Sequence, residues 1–466
     1  MVNSTPTTTN DELESLRLQI RGITSDIMEK VQQRMELARK VGEVKGRLGI
    51  EVKDEKVENE IRMMVIKQAQ ETGMRGEFAL RLLNVLLNES ESVQGQKHQR
   101  APPKMTHLGV FQKAKQMEAS GIKIIHLEVG EPDYSPPASA GSALAESFRQ
   151  KKYHYTDTRG IPQLREAIAK KTKVAEEEQI IVTPGGRFAV FSAIASLVQP
   201  GEELISIEPA WPAYKECADF CGARTKVLRT TLESGWTPDT KELESMITEG
   251  TKMIAINYPN NPTGKILDKM TMGRILLLAR EHGLYLLSDE VYADYAFTQP
   301  FESALAHGYE RTIVVSSFSK TYAMTGFRVG YAVSSADIIK KMAKVQAAGI
   351  TSVAEPIQNA ALAALAEDPS GNVELMKKRL QFVSAKIKEM SLRFAEPDGA
   401  MYIYPELPAA GNDMQVVEKL LDKGVAMAPG SGFGDSYRKF VRISACRPEE
   451  EMEKGLAIMA NVLGKA

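Results

Sequence analysis

The sequence predicts two fold classes in one chain: an all-α unit at the N-terminus, then an α/β unit built on a mostly parallel sheet. Three observations predict this. From Asp11 to about Leu48, apolar residues recur every three or four positions with no proline, the signature of a helix. Beyond residue 104, short β-rich runs alternate with helical stretches, the signature of a sheet covered on both faces. Between them GQKHQRAPPK (95–104) is polar, basic and proline-bearing, as an interdomain linker is. A length of 466 residues also exceeds what one ordinary core organises.

The first helix carries Leu13, Leu16, Ile20, Ile23, Ile27, Val31, Met35, Ala38, Val41, Val44 and Leu48. At about 1.5 Å per residue it reaches roughly 54 Å, longer than a domain of ~90 residues covers alone, so a partner chain is expected on it. Two further helical patterns, Glu55 to Glu71 and Glu77 to about Gln94, are separated at Thr72-Gly73. Expected strands follow: IIHLEV (124–129), IIVT (180–183), ELISI (203–207), MIAIN (253–257), LYLLSD (284–289) and TIVVSS (312–317). The expected organisation is a disordered 1–10, a helical domain at 11–95, a linker at 96–104 and an α/β domain at 105–466. Within the last, a large domain spans roughly 150–335 and a small α+β domain comes from the flanking parts.

With 59 basic and 60 acidic side chains, the formal net charge of −1 gives no broad electrostatic reason to expect nucleic acid or a membrane as partner. Cys217, Cys221 and Cys446 show no CxxC spacing, so neither a disulfide framework nor a metal site is expected. The polar start MVNSTPTTTN and the lack of an apolar run of about 18 residues predict a cytoplasmic protein.

YPNNPTG (258–264), SDEVY (288–292) and SFSKTYAMTGFRVGY (317–331) occur in that order, each after an expected strand, where open parallel sheets place ligand sites. Together they closely resemble the class I and II aminotransferases over residues 104–466. The resemblance implies the fold type I architecture of pyridoxal-phosphate-dependent transferases, with pyridoxal 5'-phosphate as cofactor. Lys320 would hold the cofactor covalently and move the proton between substrate and cofactor carbons. Asp289 would pair with the pyridine nitrogen. Asn261 and Tyr292 would bond the phenolic oxygen, and Trp211 in EPAWPAY would stack on the ring. The phosphate would meet Gly185-Gly186-Arg187 at a helix start, Ser317, Ser319 and Arg328, with Tyr155 reaching across a dimer interface. Arg442 in FVRIS would grip the substrate α-carboxylate, and Gly130 would add a backbone contact. Arg187 is the candidate for a distal carboxylate, which favours dicarboxylic substrates, whereas Glu128 would oppose one.

In the helical unit, Arg34 and Lys45 are eleven residues apart and share one helix face to within about 20°. Arg17 falls about 100° round the helix, so it does not easily serve the same pocket within one chain but could serve a partner's. The stretch VGEVKGRLGIEVKDEKVENEI to NESESVQGQ resembles the all-helical, type II chorismate mutases of the AroQ class, matching Arg17, Arg34, Lys45, Asp54, Glu58, Ser90 and Gln94 to family site residues. Val57 departs from the family, where many members carry arginine. The resemblance implies that Arg17 and Arg34 hold the carboxylates of chorismate, Lys45 and Gln94 stabilise the ether oxygen, Glu58 and Asp54 orient the hydroxyl side, and Ser90 lines the carboxylate end.

The expectation is therefore a bifunctional enzyme of aromatic amino acid biosynthesis. It would convert chorismate to prephenate and transaminate prephenate, an aromatic 2-oxo acid or oxaloacetate with glutamate or aspartate as donor. A homodimer is expected, with small-molecule substrates as the other partners. Two alternatives are an aminotransferase with a non-catalytic helical dimerisation or allosteric module, and a MocR-type regulator, which the net −2 of residues 11–96 opposes.

Overall fold

The computed structural model describes residues 7–48, 55–95, 107–173, 177–408 and 412–465, and the chain divides into two compact units, Met1–Lys104 and Met105–Ala466.

The first unit consists, among the described residues, of three helices: α1 (Thr7–Leu48), α2 (Glu55–Thr72) and α3 (Gly76–Gly95). No winged-helix strand occurs among them. The helix α1 starts earlier than expected, so residues 7–10 are helical rather than disordered, and residues 1–6 lie outside the described residues, as does 96–104. Its 42 residues span about 63 Å, whereas the 20 residues of α3 span about 30 Å. The short helices therefore reach only part of α1. Met35 and Ala38 are buried, as are Leu83, Leu87 and Val93 of α3, but Leu13, Leu16, Ile20, Ile23 and Ile27 are all exposed. A row of exposed apolar side chains at helical spacing marks a face made to be covered.

The second unit opens with α4 (His107–Ala119) and the short strand β1 (Ile125–His126). Helices α5 (Ala138–Arg149) and α6 (Pro162–Thr172) precede β2 (Ile180–Thr183) and α7 (Gly186–Leu197). The strands β3 (Glu203–Glu208), β4 (Arg224–Arg229), β5 (Thr251–Asn257), β6 (Tyr285–Asp289), β7 (Thr312–Ser317) and β8 (Gly330–Val333) complete a seven-stranded sheet in the order β2-β8-β7-β6-β5-β3-β4. Only β8 runs antiparallel to its neighbours. Consecutive strand residues face opposite sides. Leu204, Met253, Ala255 and Leu287 join one core, while Ile205, Ile254, Ile256 and Leu286 join another. Both faces are covered, as the near-continuous apolar runs require.

The run 124–129 corrects an expectation. Only Ile125–His126 forms a strand, and it pairs with β10 (Val425–Ala426) outside the large sheet. Strands β9 (Tyr402–Ile403), β11 (Ala428–Pro429) and β12 (Val441–Ser444) make a separate three-stranded sheet. One apolar core joins Val110, Ala114 and Leu127 from before the large sheet to Met376, Leu380, Val417 and Leu456 from after it. Chain segments far apart in sequence thus build a common layer beside the large sheet.

Candidate active sites

The larger site lies at the C-terminal ends of the parallel strands, in a cavity of about 450 Å³. Asp289 ends β6 and is buried at its floor. Its Oδ2 accepts from the Tyr214 hydroxyl at 2.7 Å and its Oδ1 from the Val291 N–H at 3.3 Å. Burial pushes its pKa up to about 6, against these donors and the nearby Lys320 charge. A buried carboxylate so placed is completed by a cation. The register that pairs Asn257 with Asp289 lets Asn257 Nδ2 donate to the Asp289 carbonyl at 2.9 Å, while its Oδ1 receives the Asn261 N–H at 2.9 Å. One strand end therefore holds both Asp289 and Asn261.

Lys320 follows β7 in a turn whose backbone is tied down: its carbonyl accepts from Tyr295 at 3.0 Å and Tyr134 at 3.3 Å. Its Nζ donates to the Gly130 carbonyl at 2.5 Å. Gly130 is required there, because a Cβ would sit 1.8 Å from the Tyr402 hydroxyl. That hydroxyl shares a 2.8 Å hydrogen bond with the hydroxyl of Tyr292. The adjoining acids pin the segment, Glu131 accepting from Thr325 and Asp133 from Arg379 at 2.5 and 3.1 Å.

Around the cavity's anion end stand Gly186, Ser317, Ser319 and Arg328. Ser317 Oγ donates to Ser319 Oγ at 2.9 Å, and Gly186 begins the 12-residue α7, whose first N–H groups point outward. Gly185 departs from expectation: its N–H is taken by the Thr183 carbonyl at 2.7 Å, and it does not line the cavity. Its role is spatial, since a Cβ would lie 2.8 Å from Arg328 Nη2.

Arg442, on β12, is 3 % exposed and lines the cavity. Its Nη1 donates to Asn261 Oδ1 at 2.9 Å and its Nη2 to the Glu128 carbonyl, with the guanidinium 4.3 Å from the Tyr402 ring centroid. No carboxylate among the described residues forms an ion pair with it, and its Nε has no hydrogen-bond partner.

Three expected residues behave differently from their simplest reading. The Glu128 side chain has no exposure and pairs through Oε1 with His126 Nδ1 at 2.7 Å, so one carboxylate oxygen is engaged by the histidine although the residue lines the cavity. Arg187 is held by Glu216 at 3.1 Å and lies 4.6 Å over the Trp211 ring rather than projecting freely. Tyr155 is 88 % exposed and absent from this chain's own cavity. Sequence reasoning missed Tyr214, Asn257 and Tyr402. The first was visible in WPAY, but nothing local marks the others.

In the helical unit, Arg34 Nη1 donates to the Leu86 carbonyl at 2.7 Å and to Ser90 Oγ, and Ser90 itself donates to Leu86 O at 2.7 Å. Partial burial lowers the Arg34 pKa by desolvation. Gly42 meets Gln94 so closely that a Cβ would lie 2.8 Å from its backbone. This brings Gln94 beside the turn of α1 that carries Lys45. Glu58 pairs with Arg62 at 3.5 Å, and Val57 is exposed. Arg17 is exposed, pairs with Glu14 at 2.7 Å, and stands about 25 Å along α1 from Arg34. Asp54 lies outside the described residues.

Comparison with known proteins identifies a family for each unit. Residues 122–458 match the family model of class I and II aminotransferases, and residues 16–95 that of type II chorismate mutases. The aspartate aminotransferase of Thermotoga maritima is 35% identical over 352 residues, which is 74% of this chain and 92% of that protein. The aspartate/prephenate aminotransferase of Thermus thermophilus is 33% identical over 371 residues, covering 77% and 96%. The solved structure of Thermus thermophilus aspartate aminotransferase with maleate superposes with a TM-score of 0.74 at 33% identity, over 77% of this chain and 96% of that one.

The residues present fit pyridoxal phosphate: a buried acid for a ring cation, an amine, and a cluster of hydroxyl, guanidinium and backbone donors for a phosphate, all on one cavity. The chain therefore belongs to the class I and II aminotransferases, carries a type II chorismate mutase domain ahead of them, and is a bifunctional, pyridoxal-phosphate-dependent enzyme of aromatic amino acid biosynthesis.

Proposed function

We propose that the chain rearranges chorismate to prephenate in its helical unit and transaminates prephenate to arogenate in its α/β unit, with glutamate or aspartate as donor. The observation that carries the second step is Arg442, a buried guanidinium facing a cavity without a carboxylate counterion. A buried cation unpaired by the chain calls for an anionic ligand, and a planar fork suits a carboxylate. Prephenate, the product of the first unit, is a 2-oxo acid carrying that group.

Bound pyridoxal phosphate supplies the electron sink for the carbon that loses its proton. Lys320 Nζ, within the cavity, carries that proton as a general base and acid. Asp289 would pair with the ring cation, Asn261 and Tyr292 would meet the ring oxygen, Trp211 would stack on the ring, and Gly186, Ser317, Ser319 and Arg328 would hold the phosphate. The pairing of the Glu128 carboxylate with His126 weakens the objection to a second carboxylate on the acceptor.

In the helical unit no acid or nucleophile is needed, because the rearrangement is unimolecular. Arg34 and Ser90 bind one carboxylate, Lys45 and Gln94 donate to the ether oxygen as its bond breaks, and Glu58 holds the hydroxyl side. Arg17 serves the site of a second copy, and Tyr155 does the same in the α/β unit. The working form is a cytoplasmic homodimer, supported by the uncovered apolar face of α1.

The test is to supply the holoenzyme with chorismate and glutamate and identify products by mass spectrometry, with Lys320→Ala and Arg34→Ala alongside. Arogenate lost in either variant supports the coupled reading. Prephenate accumulating without arogenate overturns the acceptor assignment.

A further inference from the structure

Helix α4 supplies one side chain to the cavity wall, Phe111. The other aromatic residues there are engaged: Tyr214 with Asp289, Tyr292 and Tyr402 with each other, and Trp211 beneath Arg187. Phe111 has no polar atom, and its ring is half-buried, with the Lys115 ammonium 5.7 Å from its centroid and the His126 ring 6.2 Å away.

Its position is set by a chain of charged groups. Glu118 of α4 pairs with Lys115 at 2.8 Å and lies 3.1 Å from His126 Nε2. His126 Nδ1 pairs with Glu128, and hydrogen bonding to Glu128 raises the histidine's pKa, with Glu118 adding to the effect. The Glu128 carbonyl in turn holds Arg442. The apolar wall and the carboxylate anchor are thus tied to the same short segment, which fixes the span between a ligand's carboxylate and its side chain. Phe111 adds an apolar surface to a cavity whose Arg187 is shared with Glu216 in a half-exposed pair.

We propose that Phe111 is a specificity-determining residue that packs on the six-membered carbon ring of the 2-oxo acid, and that His126 is the positioning residue that sets it there. This rests on the reading of the α/β unit as a transaminase of ring-bearing 2-oxo acids. It names the residue that separates them from short-chain dicarboxylic acids, and an apolar face of this kind discriminates by roughly 10- to 100-fold.

The experiment uses the full-length holoenzyme, wild type and Phe111→Ala, Phe111→Leu, Phe111→Tyr and His126→Gln. It measures kcat/KM for phenylpyruvate and for oxaloacetate with glutamate as donor, and by calorimetry the affinity for 3-phenylpropanoate and for succinate. Phe111→Ala should lower the phenylpyruvate-to-oxaloacetate ratio at least tenfold, and the 3-phenylpropanoate-to-succinate affinity ratio with it. Phe111→Leu should do so to a smaller extent, and Phe111→Tyr, which keeps the ring, should restore the ratio. His126→Gln should raise KM for phenylpyruvate with little change in kcat. Ratios unchanged in Phe111→Ala and Phe111→Leu would overturn the assignment. A wild-type holoenzyme that turns over no 2-oxo acid would instead overturn the transaminase reading itself.

Discussion

Gly42 of α1 touches the backbone of Gln94 of α3, leaving no room for a methyl group between them. This contact brings together two helices whose hydrogen bonds elsewhere run from Arg34 to Leu86 and Ser90. Gly42→Ala should push α3 outward by several tenths of an ångström or more and carry Gln94 away from Lys45. Because a displacement of about 1 Å can cost about 100-fold in rate, mutase kcat/KM should fall at least about tenfold. Transamination, assayed separately, should be unchanged.

Arg442→Lys keeps the charge but loses the planar fork that also holds Asn261 and the Glu128 carbonyl. The predicted outcome is a fall of about 100-fold in kcat/KM for every 2-oxo acid, with KM rising most. Steady-state kinetics and the affinity for succinate would check it.

Tyr214→Phe removes a hydroxyl that donates to Asp289 and favours its ionised form. Without it the Asp289 carboxyl rises further above 6, so less of it is charged at pH 7. Affinity for pyridoxal phosphate should drop about tenfold, the equivalent of one hydrogen bond to a charged group. Dialysis equilibrium of the cofactor measures this directly.

Glu290 is fully buried, accepts from Ser288 Oγ and the Ala304 N–H, and is pushed up to about 7 by burial from an ordinary 4.5. A carboxyl raised in the folded state stabilises the fold fully below its unfolded pKa, and that contribution is lost as pH rises through the folded value. Between pH 4.5 and 7 the wild type should lose about 3 kcal/mol from this group. Glu290→Gln should lack that slope, which urea unfolding across the pH range would reveal.

Ile20→Asp together with Ile23→Asp places charge on the uncovered face of α1. Sedimentation of the double variant against wild type should show weaker association, and mutase activity should become dependent on protein concentration.

Much of the larger site was legible because its residues sit at strand ends within short strings. Asp289 closes SD, Asn261 follows β5 by four residues, and Lys320 and Arg328 share one turn segment. Local spacing records such placements. It does not record pairing: Glu128 reads as a free acid in the site, but an extended segment with His126 two residues before it puts both side chains on the same side, where they pair. Nor does it record long-range pairs, such as Tyr292 with Tyr402, 110 positions apart. In the large sheet, β4 and β8 went unread. The first carries three basic residues in six and the second lies inside a motif already given a chemical role.

The stretch of α1 that no neighbouring helix covers bears on how many copies gather. If each of the two units pairs about a two-fold axis, as proposed, the chain can satisfy both axes with the same partner or with different ones. With the same partner, the particle closes at two copies. With different partners, every added copy exposes another unpaired surface and growth has no natural end. Symmetry matching between the two axes, rather than the strength of either contact, would then decide between a closed particle and a fibre.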